Sequence, residues 1–500
     1  MASPSPTKSS PAAPLAPLPG IDDGVLPRYP DNTTPEDSSK VYDLEKSSAI
    51  PDNDFTVNAF GDEDGAETKY RTMKWWQAGM LMIAETVSMG ILALPHSFAV
   101  LGLIPGIILT VVCGLLATYT GYMIGQFAFV YPGVHSMADA GQIFFGRWGK
   151  EFFGCAQLLF FVLVMGSHVQ VFSIMMNVIT NHGACTLAFS ATGTVLSILL
   201  TLPRQLEKIA WISIPSCVSI LAAVLTTMIS VGVINPRQEP DSIATIDLFR
   251  SVSLKEGFLA VTNIVFAYAG HVAFFGFITE LEDPQDYPKA LYLLQGMDTS
   301  LYLISAIVIY WFVGNDVASP ALGSAGKIMG KVAWGLAIPT IVIAGVVNGH
   351  VVCKYIYVRL FRNKKQYLHA NTPFTMGIWT LLCIGFWTVA WLIASAVPIF
   401  EDLLGLTSSL FASWFTFGLC GFFWIALNLE RAKGWRRGWG LGEHFGRKAG
   451  LWKSLMCVFN LFTIVIGAAV CVLGLYSTGS SIETDSKAAG KPFSCRDNSP

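Results

Sequence analysis

From Trp75 onward, apolar stretches of about twenty residues or more return repeatedly, separated by short polar gaps. A helix needs about 20 such residues to cross about 30 Å of hydrocarbon. Only helices and closed barrels satisfy every backbone polar group inside a bilayer. Eleven spans are read, at 75–99, 103–130, 152–179, 187–202, 209–234, 257–278, 289–313, 332–358, 374–398, 403–429 and 454–477. The fourth is the weakest and leans on Thr186 and Phe189 to complete a crossing, so ten or twelve spans also fit. Charged residues are 13% of the 500, about half the ~25% of a soluble domain. The sequence therefore predicts an all-α polytopic membrane protein and argues against a water-soluble enzyme.

Charge divides the chain. Residues 1–70 hold 13 Asp/Glu against 5 Lys/Arg and 10 of the 25 prolines, whereas residues 71–500 hold 21 against 27. The balances of −8 and +6 sum to the chain's −2. So acidic and proline-rich a segment cannot bury enough apolar surface to offset the entropy of ordering. The expectation is a disordered acidic tail over 1–70, a transmembrane domain over 71–477 and a short outer tail over 478–500. The first segment has no basic and apolar secretory signal, so span one is expected to direct insertion.

Orientation follows from basic residues, which stay on the cytoplasmic side. With the N-terminus inside, inner segments collect 24 of the 32 Lys/Arg, including the clusters Arg359, Arg362, Lys364, Lys365 and Arg431, Lys433, Arg436, Arg437, Arg447, Lys448. An odd number of spans leaves the C-terminus outside. The acidic tail would then face the cytoplasm, where kinases, ubiquitin ligases and arrestin-like adaptors could read it. Eight of the ten Cys lie within or at the ends of apolar spans, where a thiol behaves as a small apolar group. Cys185 and Cys495 alone fall in outer segments, where they could form a disulfide. Metal, nucleotide and hydrolase patterns are missing from the sequence, so neither a metal site nor a nucleic-acid partner is expected.

The informative features are interruptions within apolar helices. Span one carries Glu85-Thr86-Val87-Ser88-Met89-Gly90-Ile91-Leu92-Ala93-Leu94-Pro95, and span six carries Asn263-Ile264-Val265-Phe266-Ala267-Tyr268-Ala269-Gly270-His271. Two Gly-interrupted segments five spans apart are the mark of an inverted-repeat transporter with a binding site at the midplane. Unwinding frees backbone N–H and C=O groups, which a bilayer tolerates only where they line a polar cavity. A helix N-terminus favours a carboxylate and a C-terminus a cation, so such a pair suits a zwitterion. Gly can equally serve close helix packing, the simplest reading of Gly102-x-x-x-Gly106, Gly121-x-x-x-Gly125 and Gly345-x-x-x-Gly349.

The run Val87 to Pro95 resembles the Gly-small-Gly-(Ile/Val)-Leu-x-Leu-Pro signature of the amino acid/auxin permease family. Phe266-Ala267-Tyr268-Ala269-Gly270-His271, with Glu280-Leu281-Glu282-Asp283-Pro284 after it, resembles that family's Phe-x-Tyr-x-x-His segment and acidic-Pro turn. The chain is most similar to its fungal neutral amino acid permeases. This resemblance implies a leucine-transporter-type fold of five plus five inverted helices with an eleventh appended. It also implies secondary active amino acid uptake, usually with protons, and residence at the cell surface, with the vacuolar membrane as the alternative. Met89 departs from the small residue usual in the first break, which bears on the pocket's size.

Ionisable groups inside spans are costly and are functional candidates by default. Glu85 carries a proton or pairs with a polar group; His271 gates, titrates or is a hydrogen-bonded neutral imidazole; Asp298 carries a proton or holds a partner. Substrate contacts are assigned to Thr86, Ser88, Met89, Gly90, Ile91, Phe266, Tyr268, Ala269 and Gly270. The carboxylate would dock on amides near Ser88 to Ile91, and the ammonium on carbonyls around Phe266 to Ala269. Thr86, Ser88 and Asn348 would form the remnant of a cation site for a proton or sodium; no other cofactor is expected. The alternatives are an amino acid sensor without substantial flux and a transporter of another small amine or aromatic acid.

Overall fold

A computed structural model describes residues 60, 69–238, 242, 244–362, 364–397, 399–428, 451–486 and 492–499. The chain divides into two units. The smaller comprises 1–49 and 428–459, of which only 428 and 451–459 are described; the larger, 50–427 and 460–500, carries every contact discussed below.

The described residues form α1 (Trp75–Leu101), α2 (Leu103–Val130), α3 (Met137–Thr180), α4 (Thr186–Thr201), α5 (Leu206–Ile234), α6 (Leu254–Glu280), α7 (Tyr287–Val313), α8 (Lys327–Phe361), α9 (Pro373–Ala396), α10 (Phe400–Asn428) and α11 (Leu451–Ser486). Ten of these are long and apolar enough to cross a membrane. The other, α4, has 16 residues and starts at Thr186, as its short apolar core requires.

Hydrophobicity alone does not separate inner from outer helices, but burial does. α1, α3, α6 and α8 are buried on nearly all sides, whereas α2, α5, α7, α9 and α11 present one side outward. Leu381 of α9 and Ile229 of α5 are 70% and 65% exposed, as lipid-facing side chains must be. The polar residues Glu85, Ser88, His168, His271, Asn348 and Lys354 all lie on the inner helices and are buried.

Local chemistry sets several boundaries. Ser136 caps α3 by accepting from the Asp139 amide, which starts the helix well before the expected 152; a non-helical Gly146 bends it. Ser253 caps α6 through the Glu256 amide. Thr372 caps α9, with Pro373 at the first turn, where its missing N–H costs nothing.

Two tail boundaries are corrected. Phe60 and Tyr70, inside the segment expected to be disordered, are buried and stacked with centroids 4.8 Å apart. The rest of 1–68 and the basic cluster at 431–448 lie outside the described residues. At the other end α11 continues to Ser486, past the expected 477. Cys495 is bridged to Cys185. Asn177 of α3 donates to Asn498, and Thr186 of α4 donates to the Arg496 carbonyl. The last residues are thus fastened across the ends of two helices.

Candidate functional site

α6 is two helices, Leu254–Ala267 and His271–Glu280, separated at Tyr268–Gly270. The expected break in the sixth span is present and sits where Gly was read as the interruption. A Cβ on Gly270 would stand 2.9 Å from Thr86 Cγ2, so only Gly lets α1 approach there. The carbonyls freed by the break are taken by side chains. The Tyr302 hydroxyl donates to Ala267 O at 2.8 Å. His271 Nδ1 lies 3.2 Å from Tyr268 O, while Nε2 lies 2.9 Å from Ala117 O and 3.1 Å from the Thr120 hydroxyl. His271 thereby joins the break to α2.

α1 contradicts its expectation. It is helical from Trp75 to Leu101 through Ser88 and Gly90, so in this conformation the amides of Ser88 to Ile91 belong to the helix ladder and form no cradle. The physical reason lies in packing rather than propensity. A Cβ on Gly90 would stand 2.8 Å from Ala267 Cα and 2.9 Å from the Tyr302 hydroxyl. Gly90 is therefore the point where the intact helix lies against the broken one, and of these two helices α6 is the interrupted one. Thr86, Ser88, Met89 and Ile91 are nevertheless buried beside it, as are Phe266, Tyr268 and Ala269. The Tyr268 hydroxyl turns to Thr110 O at 3.0 Å.

Glu85 and Asp298 come together, which the sequence did not reveal. The Thr86 hydroxyl oxygen lies 2.6 Å from Asp298 Oδ2, and a Cβ on Gly270 would stand 2.9 Å from Thr86 Cγ2 and 3.7 Å from Glu85 Oε2, which places both acids beside Thr86 at the break. The cation-site remnant is not assembled as expected. Thr86 turns to Asp298, while Asn348 donates its amide to Ala344 O, its own preceding turn. Two of the small-residue pairs and one member of the third serve helix packing, while Gly102 caps the junction of α1 and α2 with φ +94°. Gly345 and Gly349 face the Trp387 ring, Gly121 and Gly125 face Leu291 and Tyr287, and Gly106 lies on Phe98.

Ion pairs lie near both ends of α1. At the end holding the start of α1, Lys354 of α8 pairs with Glu280, the last residue of α6. Tyr70 and Phe60 cover that ammonium, their ring centroids 4.5 and 6.0 Å from Nζ. Arg204 donates to Tyr70, Tyr357 and the carbonyls of Leu368 and Ala370. Tyr70 lies outside the spans, and burial raises its hydroxyl above the usual range, so it is neutral. At the opposite end His96 Nδ1 meets Glu401 Oε1 of α10 at 2.6 Å.

Residues 71–478 match the family described as transmembrane amino acid transporter protein. The chain belongs to this family. It is a transporter rather than an enzyme. It is 34% identical over 435 residues to the N amino acid transport system protein of Neurospora crassa, covering 85% of this chain and 89% of the relative. A transmembrane transporter of Gibberella moniliformis is 28% identical, covering 87% and 90%. Among solved structures, MhsT in complex with L-phenylalanine superposes with a TM-score of 0.52 at 11% identity, covering 81% of this chain and all of that one. MHP1, a nucleobase-cation-symport-1 family transporter, gives 0.52 at 12% identity, covering 85% and 96%. At such identities the likeness is one of fold, and the fold is the leucine-transporter type.

Sequence reasoning missed four of the transporter's site residues. Tyr302 had a usable signal, since it lies four positions after Asp298 and so on the same face of α7. Arg204, Phe60 and Tyr70 had none, because Arg204 meets Tyr70 and Tyr357, and Phe60 and Tyr70 meet Lys354, across more than a hundred residues.

Proposed function

We propose that this transporter imports neutral amino acids with protons by alternating access, binding the substrate at the α6 break. The observation that carries the reading is the interruption at Tyr268–Gly270, deep among buried helices and pressed against Gly90. An interrupted helix exposes opposite backbone dipole ends at one place, which suits a molecule with a carboxylate and an ammonium. Because α1 is continuous here, substrate entry requires Tyr302 and His271 to yield the carbonyls they occupy, or α1 to unwind near Ser88. The family and the Neurospora relative support an amino acid as the solute. Proton coupling is favoured by the buried Glu85, His271 and Asp298.

The N-terminus lies in the cytoplasm and the protein works at the cell surface. The distribution of basic residues supports that orientation, and a disulfide between Cys185 and Cys495 suits the oxidising side. The acidic tail offers a platform for ubiquitin ligases and arrestin-like adaptors; deleting residues 1–55, which spares Phe60, should slow removal from the surface.

The deciding experiment is uptake of one labelled neutral amino acid against a panel of twenty competitors at about pH 5 and about pH 7.5, with and without an uncoupler. Neutral amino acids should compete, and uptake should be larger at the lower pH and collapse with the uncoupler. Uptake indifferent to pH and uncoupler would remove the proton; competition by none of the twenty would remove the substrate class.

A further inference from the structure

Resting on the transport reading above, we infer that Glu85 of α1 and Asp298 of α7 are one site that holds a single proton between them, with the Thr86 hydroxyl as its switch. Asp298 is fully buried and Glu85 is 8% exposed. Glu85 Oε2 and Asp298 Oδ1 have no hydrogen-bond partner, and neither carboxyl forms an ion pair among the described residues. Two neighbouring anions without a counter-charge are not tolerated in hydrocarbon, so one of the two carboxyls is protonated in this conformation. A carbon built on Gly270 lies 3.7 Å from Glu85 Oε2, which sets the pair at the edge of the α6 break.

Thr86 gives the pair a way to register its load. Its hydroxyl oxygen is 2.6 Å from Asp298 Oδ2 and 3.1 Å from the Met82 carbonyl. With the proton on Asp298, the carboxyl O–H donates to Thr86 Oγ1 and Thr86 donates to Met82 O. When the proton passes to water on the inner side, Thr86 turns its hydrogen to the bare carboxylate and releases Met82. Each state uses one hydrogen per oxygen pair, so nothing else need be supplied. The titratable groups facing the pair are Tyr302 of α7, Tyr268 at the break and Cys217 of α5. Tyr302 connects the pair to the break, because it is bonded to Ala267 O. His271 is held by Tyr268, Ala117 and Thr120 and serves as a positioning residue.

The test uses the full chain in proteoliposomes, with labelled neutral amino acid flux and proton flux, read by an entrapped pH dye, measured together. The wild type should move about one proton per amino acid, since the pair titrates as a unit. In Glu85→Gln and Asp298→Asn the proton flux accompanying whatever amino acid flux remains should be lost. Thr86→Val removes the donor to the bare carboxylate and should move the pH midpoint of uptake upward by about one unit, the worth of one hydrogen bond. Thr86→Ser should restore the wild-type profile, and this pair keeps the proposal testable if the carboxamide variants do not fold. Unchanged stoichiometry in both carboxamide variants, or identical pH profiles for the Val and Ser variants, would overturn it. Amino acid flux without proton movement in the wild type would overturn it while leaving transport standing. Absence of any amino acid flux would defeat the transport reading itself.

Discussion

At the scale of single residues, two glycines and one ion pair carry the argument. Gly90 and Gly270 are where α1 and α6 touch, and an added methyl meets Ala267 Cα at 2.8 Å or Thr86 Cγ2 at 2.9 Å. Overpacking of this kind costs about 1–3 kcal/mol, enough to lower uptake by about fivefold or more if it is spent on the site. Gly90→Ala and Gly270→Ala should therefore reduce initial rates in cells with matched surface expression. Gly276→Ala, whose new carbon meets nothing within 4 Å, should not. Lys354 and Glu280 make a different case, because each is buried and charged. Lys354→Met should lower thermal stability strongly, by about 3–5 kcal/mol, since it removes one member of a buried ion pair. Adding Glu280→Leu should recover most of the loss, and melting of the purified protein compares the three.

At the scale of elements, the α6 break and the C-terminal tether invite separate tests. The Ala267 carbonyl, orphaned by the end of its helix, is satisfied by the Tyr302 hydroxyl. Tyr302→Phe leaves a buried acceptor without its donor, a penalty of about 1–3 kcal/mol. A substrate ammonium that binds this carbonyl would then meet no competitor, so KM should fall while the maximal rate drops; a rise in KM would show that the tyrosine contacts substrate. The Cys185–Cys495 bridge closes a separation of 310 residues and constrains the unfolded chain, with a typical value of about 2–4 kcal/mol. Cys185→Ser should lower the melting temperature, and reductant should lower that of the wild type but not of the variant. The interruption in span six was legible because Gly270 sits among polar and aromatic neighbours. The matching reading of Ser88 and Gly90 failed because small residues permit both unwinding and close approach, and the neighbour decides which.

At the scale of the whole molecule, reconstitution separates a carrier from a sensor: the purified protein in liposomes should exchange labelled neutral amino acid across the membrane. A protein that binds the amino acid yet moves none would be a sensor. The eleven apolar helices, their order and the segregation of charge were legible in the sequence because crossing hydrocarbon demands about 20 apolar residues at a stretch, a local requirement that leaves a local trace. The disulfide was legible as an option, since two cysteines alone fell in outer segments. Which helices lie inside was not, because lipid and protein interior are equally apolar and a leucine facing either reads alike. Nor could the order of residues tell that Thr86 meets Asp298, that Arg204 gathers Tyr70 and Tyr357, or that Phe60 returns to cover Lys354. Local composition determined that this chain enters a membrane and where it can bend; contacts between residues hundreds of positions apart are fixed only by three-dimensional packing, which decided where the helix broke and which charges share a site.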